Sequence, residues 1–93
     1  PPASVTGAPK PRVLRAIEEL EPVRRGAYCG AVGWIDGDRA RARLSVAIRT
    51  FTVTPRGTSL GVGGGIVADS SAEAEWAETE LKAARLLTRF RTR

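Results

Sequence analysis

Glu75, Glu78 and Lys82 stand three and four residues apart in the run Ser70 to Lys82, shortly after Gly63-Gly64-Gly65. On a helix of 3.6 residues per turn they share one stripe. Ionisable groups beside a loop of bare backbone N–H donors can hold a hard cation and a carboxylate together. Ser70 is placed to cap that helix, with Glu73 at the spacing that bonds back in a capping box. The plainer reading is an exposed helix carrying a Glu78–Lys82 pair at i,i+4, which is common decoration.

Other residues offer single chemical handles. Arg49 can form a bidentate bond with a carboxylate, or can be a strand arginine facing solvent. Tyr28 can hydrogen-bond a ligand through its phenol, or can be a half-buried turn residue. Thr6 can present a hydroxyl, or can simply cap a helix. Gly61-Val62-Gly63-Gly64-Gly65 lacks the Lys-Ser/Thr pair of a P-loop, and Ile66 breaks the dinucleotide spacing. What remains is backbone open to close approach, or a bulged strand that packs tightly.

The composition narrows the chemistry. The chain has no histidine, so the commonest general base and metal ligand is missing, and Cys29 as the single cysteine allows no internal disulfide. A reducing, cytoplasmic setting is expected. No apolar run approaches the roughly 20 residues that span a bilayer, and Pro1-Pro2-Ala3-Ser4 does not read as a signal peptide. The net charge of +5 comes almost entirely from arginine, Lys10 and Lys82 being the two lysines. Those charges are spread, apart from Arg39, Arg41 and Arg43 and the terminal Arg85, Arg89, Arg91 and Arg93. With few aromatic residues to stack on bases, a basic nucleic-acid-binding module is the weaker alternative, and neither nucleic acid nor membrane is an expected partner.

The elements that must position these residues follow from pattern. Val13, Leu14, Ile17 and Leu20 recur at helical spacing, with Pro9 or Pro11 in the first turn and Glu21-Pro22 at the end. Gly26 to Gly30 is a turn and Ala31 to Ile35 a short strand. Asp36-Gly37-Asp38 then signals a hairpin. A long alternating strand follows. It sets Ala42, Leu44, Val46 and Ile48 against Arg41, Arg43, Ser45 and Arg49, with Phe51 and Val53 turning the second face apolar. Pro55-Arg56-Gly57 turns the chain into a third strand, Leu60 to Ala68. The last helix, Ser71 to Phe90, has Trp76, Ala83, Leu87 and Phe90 as its core stripe. The expected class is α+β, ordered helix, three antiparallel strands, helix. Such a sheet leaves an open edge, so residues 1–93 read as an incomplete domain.

Five runs in order carry a resemblance. They are Ser4-Val5-Thr6-Gly7-Ala8-Pro9-Lys10, Glu19 to Gly26, Ala47-Ile48-Arg49-Thr50, Gly63 to Ser70, and Glu73 to Thr79. Together they resemble the C-terminal part of the chorismate-utilising enzymes, over practically the whole chain. This family includes anthranilate synthase component I, aminodeoxychorismate synthase component I, isochorismate synthases and salicylate synthases. The Ser4-Val5-Thr6-Gly7-Ala8-Pro9-Lys10 run, the Tyr28-Cys29-Gly30 turn and Gly63-Gly64-Gly65 look most like the aminodeoxychorismate, or para-aminobenzoate and folate, branch.

The resemblance implies a layered chorismate-binding fold and a set of roles. Glu75 and Glu78 match carboxylates that hold Mg²⁺, which in turn grips the ring carboxylate of chorismate. Arg49 and Tyr28 match residues that hold the enolpyruvyl carboxylate. Gly63, Gly64 and Gly65 match a turn lying against the substrate, Lys82 a lysine near the bound carboxylate, and Thr6 a threonine near the ring. The family's domain is several times longer, and its upstream part supplies further metal carboxylates, a histidine and the attacking lysine. No catalytic residue is therefore assigned here. The implied partners are chorismate, the missing N-terminal part of the same enzyme and a glutamine amidotransferase subunit or domain. The implied reaction converts chorismate and ammonia to 4-amino-4-deoxychorismate, with anthranilate synthesis as the alternative.

Overall fold

The computed structural model describes residues 1–91, so Arg93 of the terminal arginine cluster lies outside the described residues. The chain is α+β and divides into two compact units, Pro1–Ile48 and Arg49–Arg93.

The first unit opens with a one-turn helix that the pattern did not signal, α1 (Ala3–Thr6). Gly7 closes it at a φ of 79°, and a Cβ there would collide with the Val13 side chain. Glycine is required on both counts. Helix α2 (Lys10–Leu20) starts from an extended Pro9 with Pro11 in its first turn, and ends where the Glu21 N–H reaches Ile17 O at 3.0 Å. Its inward side is Val13, Ala16 and Ile17, whereas Leu20 of the expected stripe is 81% exposed.

Strands β1 (Ala31–Asp36) and β2 (Arg41–Val46) form the expected antiparallel hairpin, with Ala31 opposite Val46 and Asp36 opposite Arg41. Asp36 organises the turn by accepting from Arg39 N at 3.2 Å and pairing with Arg41 at 3.7 Å. It also pairs with the Arg39 guanidinium at 3.4 Å, so two of the basic cluster's charges are partly used at home. Beyond the ladder, Cys29 N donates to Ala47 O and Ala47 N to Gly30 O, each at 2.9 Å. Cys29 and Ala47 are both buried, and Cys29 holds a φ of 66°.

In the second unit, β3 (Phe51–Thr54) pairs with β4 (Gly57–Leu60) around Pro55-Arg56. Among the described residues there are thus four strands in two hairpins, where one short strand, one long alternating strand and a third strand were expected. The long second strand is broken between Val46 and Phe51, where Arg49 takes a φ of 51°. The expected strand Leu60 to Ala68 ends at Leu60. Glycine-rich chain with little side-chain surface to pack gives residues 61–67 no reason to remain in a ladder.

Helix α3 (Ala72–Arg91) is where expected, but it is capped differently. Ser71 Oγ accepts from Ala74 N at 3.2 Å, while Ser70 Oγ accepts from Val67 N at 2.9 Å and closes the preceding turn. With Ser71 as the cap, Glu73 is one position too early to complete a capping box. It stays in the first turn, where a carboxylate suits the helix dipole. Phe90 stacks on Phe51 with ring centres 4.7 Å apart, tying the helix end to the hairpin. Trp76, expected in the core stripe, is instead 66% exposed. The half-buried residues of α3 are Glu75, Thr79, Lys82, Ala83 and Leu86, so Glu75 and Lys82 of the polar stripe turn partly inward while Glu78 stays exposed. Among the described residues, no helix is long and apolar enough to cross a membrane.

Candidate functional site

The second unit gathers five of the expected site residues. Lys82 Nζ donates to Gly63 O at 3.2 Å and pairs with Glu78 Oε1 at 2.7 Å. This bond bridges nineteen positions of sequence and fixes the glycine turn over the helix stripe. A Cβ on Gly64 would stand 3.0 Å from Glu75 Oε2, closer than a carbon and a carboxylate oxygen settle without one moving. Glycine is what lets the backbone lie against that carboxylate. Gly65 meets open space.

The two carboxylates differ in availability. Glu75 Oε2 is buried and finds no hydrogen-bond partner among the described residues. A buried carboxylate oxygen with no donor is costly, and a cation is one of the few groups that compensates it fully. Glu78 is half exposed and already answers Lys82. Among the described residues no group of three or more His, Cys, Asp or Glu forms a closed metal cage. Carboxylate oxygens are the donor type that a hard, partly hydrated cation such as Mg²⁺ takes, rather than one that demands thiolates or imidazoles.

Arg49, which also belongs to this unit, is exposed. It lies in the break between β2 and β3 at a left-handed φ, not in a strand as expected. A long-chain residue held there is mildly strained, and such strain is concentrated at functional positions.

The first unit presents Thr6 and Tyr28. Thr6 is buried within α1, so it does not cap α2. Its hydroxyl accepts from Lys10 Nζ at 2.6 Å, which leaves the hydroxyl proton to donate elsewhere. Tyr28 is half-buried in the turn before β1. Burial pushes its phenol pKa up and the Cys29 thiol adds to the rise, while the Arg25 charge opposes it. Arg25 lies over the ring, 5.6 Å from its centre, and is clamped by Glu21. Lys10, Glu21 and Arg25 received no role from the sequence. The signal was there in the i,i+4 spacing of Thr6 with Lys10 and of Glu21 with Arg25.

The family model described as chorismate binding enzyme matches residues 1–88. The chain is 47% identical over 87 residues to aminodeoxychorismate synthase component 1 of Salmonella typhimurium, covering 94% of this chain and 19% of that protein. It is 43% identical over 83 residues to anthranilate synthase component 1 of Acinetobacter calcoaceticus, covering 89% and 16%. The corresponding protein of Arthrobacter globiformis is 49% identical over 86 residues, covering 90% and 16%. The chain thus spans less than a fifth of the length of these relatives. With a buried carboxylate facing a glycine turn and a family match over nearly its whole length, the chain belongs to the chorismate binding enzyme family.

Proposed function

We propose that this chain forms the C-terminal part of the chorismate site of an enzyme that replaces the 4-hydroxyl of chorismate by ammonia, giving 4-amino-4-deoxychorismate for folate synthesis. The observation that carries the reading is the convergence of Gly63, Gly64, Glu75, Glu78 and Lys82 in the second unit. Chorismate is a dianion, so its binding needs positive charge and N–H donors aimed at carboxylates.

In this reading Glu75 and Glu78 would hold Mg²⁺, which supplies charge neutralisation for the ring carboxylate when bound. The Gly63–Gly65 turn offers backbone against the same carboxylate, because no side chain keeps the substrate away. Lys82 braces that turn through Gly63 O and balances Glu78. Arg49 presents a planar fork suited to the enolpyruvyl carboxylate. The Tyr28 phenol is a hydrogen-bond donor for the same class of group. Thr6, with Lys10 already donating to it, has its proton free for the ring oxygen functions. The groups that move protons and displace the hydroxyl belong to other polypeptide of the same enzyme. A glutamine amidotransferase subunit or domain would deliver the ammonia.

Anthranilate synthesis is the second reading, since relatives of both names match at 43–49% identity. The three consecutive glycines and the Tyr28-Cys29-Gly30 turn favour the aminodeoxychorismate branch. Incubating the intact enzyme with chorismate, ammonia and Mg²⁺, then separating the products, decides between them. Accumulation of 4-amino-4-deoxychorismate supports the proposal. Anthranilate with release of pyruvate would replace it by the alternative.

A further inference from the structure

We propose that Arg25 is a positioning residue for Tyr28, held by Glu21 and holding the phenol ring in the orientation that meets a substrate carboxylate. This rests on the reading of Tyr28 as a substrate contact. The backbone around the ring is already fixed. Tyr28 N donates to Arg25 O at 3.2 Å, Gly30 N to Ala27 O at 2.9 Å, and Cys29 is bonded to Ala47. What the backbone leaves undetermined is the ring itself, which turns about two side-chain bonds.

Arg25 removes that freedom from one side. Its guanidinium lies 5.6 Å from the ring centre, within the range where a cation and an aromatic face attract. The guanidinium cannot wander, because Nε and Nη2 donate to the two oxygens of Glu21 at 2.9 and 2.5 Å. Such a fork fixes both position and plane. Glu21 in turn ends α2, its own N–H bonded to Ile17 O. A rigid line therefore runs from the end of α2 through Glu21 and Arg25 to the phenol. The remaining nitrogen, Nη1, is buried with no acceptor among the described residues. An arginine serving only a surface ion pair would leave that nitrogen in water. Its burial makes sense when the Tyr28 ring is what the guanidinium serves.

The experiment places 3-fluorotyrosine at position 28 of the intact enzyme and follows its ¹⁹F resonance in the parent, Arg25→Gln and Glu21→Gln, and measures chorismate binding in unlabelled Arg25→Gln, Glu21→Gln, Tyr28→Phe and the Arg25→Gln, Tyr28→Phe double variant. Both Arg25→Gln and Glu21→Gln should shift and broaden the resonance, and Arg25→Gln should raise the pH at which it titrates. Arg25→Gln should weaken chorismate binding about three- to ten-fold, the scale of one partly desolvated cation–ring contact. It should add nothing once Tyr28 is phenylalanine. An unmoved resonance overturns the proposal. So does an equal loss of binding in the phenylalanine background, which would give Arg25 a role of its own. If Tyr28→Phe binds chorismate normally while the resonance still responds to Arg25, the substrate reading of Tyr28 has failed and the proposal fails with it, by a distinguishable route.

Discussion

Lys82 Nζ and the carbonyl oxygen of Gly63 lie 3.2 Å apart, so a helix side chain holds the backbone of the glycine turn. The same ammonium pairs with Glu78 one turn earlier. Lys82 is therefore the joint between the turn and the carboxylate stripe. The i,i+4 pair is the plain feature expected of an exposed helix, while the bond to Gly63 is not. An exposed pair alone stabilises by only about 0.3–0.5 kcal/mol.

Gly64→Ala tests how closely the turn and Glu75 must approach. The φ of Gly64 is one that alanine can adopt, so the strain falls on the 3.0 Å contact with the Glu75 carboxylate. Overpacking of this kind costs about 1–3 kcal/mol when neighbours cannot yield. Because a carboxylate can swing aside, the loss should appear in Mg²⁺ and chorismate affinity, at about ten-fold, with thermal stability little changed. Gly65→Ala, whose Cβ meets no protein atom, leaves Glu75 undisturbed, so its Mg²⁺ affinity should be normal and only chorismate affinity should fall. Titrations of both variants with metal and substrate give the comparison.

Glu78→Gln should lower activity of the intact enzyme far more than Glu73→Gln. Glu73 lies in the first turn, where its contribution is the small dipole effect of a terminal carboxylate, about 0.3–1 kcal/mol of stability. Activity should vanish with a chelator and return with Mg²⁺. Equal, mild losses from both substitutions with no chelator effect would return the stripe to helix decoration.

The periodicity of the chain revealed the two long helices and the first hairpin, because apolar spacing and Asp36-Gly37-Asp38 are local signals. It failed where the deciding contacts are distant. Counting apolar residues puts Trp76 inside α3, yet Glu75, Thr79 and Lys82 turn inward because the glycine backbone offers Lys82 an acceptor. Alternation carries one strand through Arg49, but a positive φ breaks it there, and no residue type near Arg49 announces that. Ser70 and Ser71 are equally good caps by type. The turn at Val67 takes the first and leaves the second.

The Glu21–Arg25 clamp should weaken in acid. The hydrogen bond from Arg25 holds the Glu21 carboxyl below the ordinary glutamate range. A carboxyl with a lowered folded pKa contributes stability that is fully present above its unfolded value and is lost as pH falls through the folded one. The contribution should therefore persist at neutral pH and disappear below the usual glutamate range. Glu21→Gln should abolish that acid-dependent part. Carbon NMR of a labelled Glu21 carboxyl, together with acid unfolding of both forms, measures the effect.

The 93-residue chain by itself should expose enough apolar surface to bind a hydrophobic dye. Its accessible surface is 8195 Å². A folded protein of this mass exposes about 5,200 Å², and two separate units of half the mass about 6,300 Å² in all. Ile35, Leu44, Val53 and Trp76 are among the side chains left exposed. Dye fluorescence should fall when the chain is part of the intact enzyme. A dye-silent isolated chain with a sharp unfolding transition would show that it covers this surface itself.

Arg49 sets binding against backbone comfort. A side chain in the left-handed region costs about 1–2 kcal/mol, which glycine would relieve at φ 51°. Glycine also enlarges the entropy of the unfolded chain, by about 0.4–1 kcal/mol. The two effects nearly cancel, so Arg49→Gly should leave stability within about 1 kcal/mol of the parent or slightly improve it. Chorismate binding should nonetheless be largely lost, because the fork is gone. Arg49→Lys keeps both the strain and the charge and should weaken binding by about 1.5–3 kcal/mol, the range of a hydrogen bond to a charged group. Denaturant melts with substrate titrations on the two variants separate these contributions. Normal binding by Arg49→Lys would mean that the strained arginine serves the chain's path between β2 and β3 and not a carboxylate.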